Sequence, residues 1–312
     1  MHSAWKAECL QSYNACKEEQ MKVAVITDSH SGISQKEAEE LGLYVLPAPF
    51  MVNGAPFEEG INLTSEAFYQ KLNEGADVST SQPAPADILR LWDELLKTYD
   101  QLVVIPLSSG LTGAYQTMMM LASDEPYEGR VFPVDNTSVS VTERVAALNA
   151  LALVRKGYDA PSIKRILEET RKNALIFIAV STLKYLKKGG RITPAAAALG
   201  TLLKIKPVLK IDGDKLDAFA KVRTMSQARE VMLSGVQDCL TNRLHDPEAE
   251  HSYIMVAHAQ DEEAAKELLA IAKERWPKAD FYMAPLALAI ACHTGPGALG
   301  FVAERKLPEL EH

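Results

Sequence analysis

The sequence predicts an α/β protein of two domains, a mostly parallel sheet first and a mixed sheet with helices second. Three observations predict it. The first half repeats a unit of β-rich run, polar turn and helical segment, which is the pattern of a parallel sheet. The second half contains an Asp-Gly step between two alternating runs, the signal of an antiparallel hairpin. At 312 residues, 47% hydrophobic and 24% charged, the chain is long enough for two cores of ordinary size.

Residues 22–27 (KVAVIT) read as a strand ending in the polar turn Asp28-Ser29-His30-Ser31-Gly32. A short helix, SQKEAEELG, closes at Gly42, and residues 43–52 (LYVLPAPFMV) read as one extended segment limited in pairing by Pro47 and Pro49. Asn53-Gly54 suits a tight turn, and Thr64 caps the helix that follows. Residues 78–86 (VSTSQPAPA) form a polar loop ahead of the amphipathic segment 87–99. Residues 103–107 (VVIPL) read as a buried strand, and the chain then turns through Ser108, Ser109, Gly110, Leu111, Thr112 and Gly113 into a helix. A further strand, 130–134, again ends in polar residues, Asp135-Asn136-Thr137-Ser138.

After a helix over 141–156 the pattern changes. PSIKRILEETRKN is an amphipathic helix, ALIFIAV an apolar strand, and TPAAAALGTLL a small-residue helix. KPVLKI and LDAFAKV flank the Asp212-Gly213 turn, and helices and strands alternate from Ser226 to Ala284. We therefore expect a first domain over 21–157 with a Rossmann-like sheet, a second over 158–312, and residues 1–20 as an extension or an overlong start. The closing Leu310-Glu311-His312 resembles the beginning of a tag.

Composition excludes several functions. A net charge of −8 argues against nucleic acid as a main partner, because phosphate recognition needs a basic face. No apolar run is long enough to span a bilayer, and the four cysteines show no metal-ligand spacing. A reducing cytoplasm and no metal or cofactor are expected. Gly295, Gly297 and Gly300 match G-x-G-x-x-G, but that fingerprint needs a following helix in a βαβ unit. A turn presenting His293 is the better reading.

What remains is a set of hydroxyls, Thr80, Ser81, Ser108, Ser109 and Thr112, with His293 and the basic residues Arg191 and Arg223 near turns. Neutral donors in that number suit a carboxylate head. Two bland roles stay open: Ser109 or Thr112 as a helix cap, and His293 as a hydrogen-bonded structural residue. Ser109 and His293 could also serve as nucleophile and base, although no orienting acid stands at recognisable spacing.

Seven motifs in order, ITDS (26–29), TSQP (80–83), SSGLTGAYQ (108–116), LKYLKKGGRI (183–192), LGTLLKIKPVL (199–209), KVRT (221–224) and HTGPGALG (293–300), resemble the DegV family of fatty-acid-binding proteins. The resemblance implies a fold with one long-chain fatty acid held between two domains. It implies a non-catalytic, acyl-carrying subunit of bacterial fatty-acid kinase, whose partner, a dihydroxyacetone-kinase-like subunit, supplies the ATP chemistry that leads to phospholipid metabolism. Carried over to this chain, Thr80, Ser81, Ser109 and Thr112 bind the carboxylate, His293 completes the site, and Arg191 and Arg223 orient the head or dock the kinase. The alternatives are a Ser/His-dependent esterase and a lipid carrier or sensor with no kinase partner. The sequence departs from the family at Ala114, which removes a hydroxyl, and at His30-Ser31-Gly32-Ile33 after the TDS motif.

Overall fold

Two buried β-branched runs set the centre of the first sheet. In the computed structural model, which describes residues 21–199, 205–213 and 215–311, the runs are β1 (Val23–Asp28) and β6 (Gln101–Ile105). The expected extension over 1–20 with Cys9 and Cys16, residues 200–204 of the small-residue stretch, Asp214 and His312 lie outside the described residues. In chain order β1 is followed by α1 (Gln35–Leu41), β2 (Tyr44–Leu46), β3 (Phe50–Val52), β4 (Ala55–Phe57), α2 (Ser65–Asn73), β5 (Val78–Thr80) and α3 (Pro85–Leu95). After β6 come α4 (Ala114–Ala122), β7 (Val131–Pro133), α5 (Val141–Arg155) and α6 (Ala160–Glu169).

The first sheet is parallel with strand order β2-β1-β6-β7. The order reverses direction between β1 and β6, so the loops after these two strands diverge and leave a crevice at their carboxyl ends. Both faces of this sheet are covered. Val25, Val103 and Ile105 pack with α5 and α6 on one side, and Ile26, Leu102 and Val104 pack with Trp92 and Met118 on the other. The helix α6 belongs to this packing through Ile163, Ile166 and Leu167, so a division at residue 157 would detach a helix that covers the first sheet.

The expected single segment over 43–52 is two strands. Pro47 and Pro49 interrupt it, leaving β2 in the parallel sheet and β3 in a separate antiparallel sheet of order β4-β3-β5. Asn53 (φ 52°) and Gly54 (φ 79°) make the tight turn from β3 to β4, both left-handed as a two-residue hairpin requires. The polar stretch read as a loop begins as β5, with Thr80 opposite Phe50.

The rest of the chain supplies β8 (Ala174–Ala179), α7 (Lys184–Gly189), α8 (Pro194–Leu199), β9 (Lys206–Ile211), β10 (Asp217–Val222), α9 (Met225–Asp238), β11 (Ser252–His258), α10 (Glu262–Arg275), β12 (Asp280–Pro285), α11 (Leu288–Thr294) and β13 (Leu299–Arg305). Their sheet is mixed, in the order β10-β9-β8-β13-β11-β12, with β11 and β12 its parallel pair and β9 and β10 the expected hairpin. Alternation along β8 sorts its two faces: Phe177 and Ala179 pack under α9 and α10, while Ile176 and Ile178 face the first half of the molecule. Among the described residues no helix is long and apolar enough to cross a membrane.

Candidate functional site

The inner face of the mixed sheet and the carboxyl ends of β1 and β6 enclose a cavity of about 260 Å³. Its floor is apolar. Ile176, Ile178, Ile211 and Val302 come from the sheet, and Ala257 and Gly300 keep two positions of that floor short. Leu186 and Leu286 extend the same surface.

The polar lining comes from other elements. Thr80, at the end of β5, and Ser81 stand on the small sheet, Thr112 in the turn before α4, and Arg191 just past α7. His293 lies in the last turn of α11, not in a free turn as expected. The glycines follow it: Gly295 and Gly297 have φ near +73°, and Gly300 already lies in β13. The Thr80 hydroxyl and His293 Nε2 are 2.9 Å apart, across 213 residues of sequence. Burial first, then the charge of Arg191 and the nearby His30, pushes the His293 pKa down to about 4, so the ring is neutral at pH 7. Its Nδ1 is buried without a hydrogen-bond partner among the described residues.

Arg191 reaches back from α7 to the turn after β6, where its Nε donates to the Leu111 carbonyl at 3.2 Å and its Nη1 to the Gly189 carbonyl. Among the described residues no carboxylate pairs with it. A guanidinium bonded only to carbonyls retains its full charge beside the cavity. Thr112 uses its hydroxyl oxygen to accept from Ala114 N at 3.3 Å, so it also shapes the helix start.

Two expected site residues are placed elsewhere. Ser109 does not line the cavity; its hydroxyl donates to Asp135 at 2.6 Å and its backbone N–H to the same carboxylate. That bond engages the hydroxyl at the carboxyl end of β7, whereas the hydrogen-bond partner of His293 among the described residues is Thr80. Arg223 is exposed in the turn before α9, away from the cavity lining. Cys292, beside His293, is a buried thiol pushed up to about 12 by burial, which removes it as a nucleophile at neutral pH. Among the described residues no group of three or more His, Cys, Asp or Glu side chains could hold a metal ion.

The sequence reading missed a buried acid pair behind the cavity. Asp28 Oδ2 accepts from Leu107 N at 2.9 Å, tying the end of β1 to the end of β6. Glu143, on α5, is fully buried, and its carboxyl is pushed well above the ordinary range by burial and by the charge of Asp28. Asp28 itself is held low: burial opposes its ionisation, but the charge and hydrogen bonds of His30, with those from Leu107 and Glu143, outweigh it. Asp28 was visible as a polar strand end; Glu143 sits in an ordinary helical pattern with no signal of its role.

A family model described as an uncharacterised protein of the DegV family matches residues 22–306. The chain belongs to the DegV family. Protein DegV of Bacillus subtilis is 31% identical over 286 residues, covering 90% of this chain and 98% of that protein. Among solved structures, a DegV family protein of Thermus thermophilus, described by its fatty acid binding, superposes with a TM-score of 0.82 at 31% identity and covers 91% of this chain and all of that one. DegV of Bacillus subtilis, described as a fatty acid binding protein, superposes with a TM-score of 0.81 at 29% identity over 92% of this chain. The α/β architecture is thus that of the family.

Proposed function

We propose that this protein binds a long-chain fatty acid, its tail along the apolar floor and its carboxylate among Thr80, Ser81, Thr112, Arg191 and His293. The observation that carries this reading is Arg191, a cation without a carboxylate partner among the described residues, at the edge of a cavity whose floor is apolar. The fatty-acid-binding descriptions of similar DegV structures support it. Each buried methylene of a tail contributes roughly 0.8 kcal/mol, so a long chain supplies on the order of 10 kcal/mol before ordering costs. The hydroxyls and Arg191 then select an acid over an ester.

In the same reading the protein is a cytoplasmic carrier with two α/β domains around the ligand, and it performs no chemistry itself. It presents the acid to a separate, dihydroxyacetone-kinase-like subunit that forms the acyl phosphate used in phospholipid metabolism, and exposed Arg223 contributes to that docking. The first experiment is extraction of the purified protein with organic solvent and mass spectrometry of what is released. A stoichiometric long-chain fatty acid is expected. No lipid, together with no change in melting temperature on adding palmitic acid, overturns the carrier reading. Phosphorylation of the bound acid by a candidate kinase subunit, lost in His293→Ala, tests the kinase reading.

A further inference from the structure

The first sheet contributes two polar side chains to the cavity that the head-group site above does not use, His30 and Ser140. His30 follows β1 in a single turn of 3-10 helix. One oxygen of Asp28 accepts from both its backbone N (2.9 Å) and its ring Nδ1 (2.6 Å), so the ring is clamped at its root and along one edge. With Nδ1 engaged, Nε2 is the nitrogen left over, and among the described residues nothing hydrogen-bonds to it. An aspartate on one imidazole nitrogen settles ring orientation and leaves the other nitrogen an acceptor in the neutral ring and a donor in the doubly protonated one.

Ser140 precedes α5 with φ 58° and ψ −124°, a backbone conformation that side-chain-bearing residues rarely adopt. Such a residue persists where its surroundings over-determine it, most often at a ligand site. Its hydroxyl makes no hydrogen bond to any described residue, and both its neighbours, Val139 and Val141, line the cavity. The His30 turn packs against α5 and against α11, the helix that carries His293. Charged and titratable groups around the ring are Asp28 beneath it, Glu143 on α5, His293 on α11, and Glu59, whose carboxylate accepts from Leu288 N.

We infer that His30, held by Asp28 through Nδ1–H and carrying its second proton on Nε2 when the acid is bound, donates from Nε2 to the carboxylate head and adds to the preference for a free acid that the hydroxyls and Arg191 set, with the Ser140 hydroxyl as its neighbour on the same wall. Thr80 and His293 reach the head from the small sheet and from α11; His30 and Ser140 reach it from the carboxyl end of the first sheet. A carboxylate accepts up to about four hydrogen bonds, and donors from two walls fill them where one wall cannot. This inference rests on the carrier reading.

The test compares palmitic acid with methyl palmitate on the delipidated full chain. The wild type favours the acid, and His30→Leu lowers the ratio of ester to acid dissociation constants about tenfold, the worth of one hydrogen bond to a charged group. His30→Gln, which keeps a donor, restores part of the preference, and Ser140→Ala lowers it less than His30→Leu. In the wild type, the His30 ring resonance, assigned by its absence in His30→Gln, moves on adding palmitic acid and stays with methyl palmitate. That measurement decides the matter even where His30→Leu fails to fold. An unchanged acid preference in folded His30→Leu, or a His30 resonance indifferent to palmitic acid, overturns the role of His30 and leaves the carrier reading standing. A wild type that binds neither lipid overturns both.

Discussion

His293 gives the most quantitative prediction. In the unfolded chain an imidazole titrates near 6.5, whereas in the fold burial, Arg191 and His30 hold it at about 4. The folded-state value is lowered, so the unfolded chain binds the extra proton between these two pH values. The contribution to stability is full above about pH 6.5 and is lost as pH falls towards 4. At pH 5 the unfolded ring is almost wholly protonated and the folded ring almost wholly neutral, which amounts to about 2 kcal/mol of lost stability relative to pH 7 at 1.36 kcal/mol per unit. This is an upper figure, because the ring is not fully closed off from solvent. The assay is urea unfolding of wild type and His293→Leu at pH 7 and pH 5. Every other titrating group is common to the two proteins, so the wild type loses about 2 kcal/mol more than the variant over this range. Equal losses in both proteins would refute the neutral, buried imidazole and with it the head-group geometry built on Thr80. Saturation with palmitic acid reduces the extra loss, since an anion beside the ring offsets the repulsion from Arg191.

Three further substitutions probe the same architecture. A Cβ at Gly189 would overlap the His293 ring, lying 2.7 Å from Cε1, so Gly189→Ala displaces the ring from Thr80 and weakens palmitic acid binding about tenfold by titration calorimetry, without itself contacting the cavity. A Cβ at Gly300 meets Ala257 at an ordinary 3.5 Å, so Gly300→Leu folds but intrudes on the floor; the acids extracted from it shift to shorter chains, each excluded methylene costing about 0.8 kcal/mol. Trp276, 1% exposed and packed on Phe301 under the mixed sheet, is remote from the cavity: Trp276→Ala lowers unfolding stability by about 3–5 kcal/mol in urea while the acid-to-ester preference is retained.

Much of this architecture was legible because it is local. Periodicity marked the strands and helices, Asn53-Gly54 and Asp212-Gly213 marked their turns, and the hydroxyl turn after β6 marked one edge of the cavity. The failures have one cause, which is that hydrogen-bond partners distant in sequence leave no local trace. Ser109 read as a cap or a carboxylate ligand, and nothing near it in sequence marked Asp135, at the end of the neighbouring strand, as the partner of its hydroxyl. Thr80 looked like a loop residue because its pairing partner is Phe50, across a helix and a turn. Glu143 lies on a helix whose pattern is ordinary, and it is burial and then the neighbouring Asp28 that push its carboxyl well above the ordinary range. Gly189 stands in the motif LKYLKKGGRI with no local sign of its role, whereas its missing side chain makes room for a histidine more than a hundred residues away.

The division of labour between the two sheets explains why the site lies where it does. An antiparallel face with a helical layer behind it offers alternating apolar side chains and few free polar groups, because its backbone is paired along the ladder. It suits a hydrocarbon tail. A parallel sheet ends all its strands at one edge, where loops diverge and backbone N–H groups, hydroxyls and short polar side chains converge. It suits a charged head. Neither surface alone discriminates a fatty acid from a soluble carboxylate or from a neutral lipid. The Ser108 hydroxyl donates to the Gly213 carbonyl at 3.2 Å, and Arg191 grips the Leu111 carbonyl, so contacts from the second half of the chain fix the hydroxyl turn of the first. In the proposed carrier, affinity for the tail and selectivity for the head would be coupled through these few bonds. A substitution that loosens them, Ser108→Ala for example, lowers the acid-to-ester preference with no change in the apolar floor.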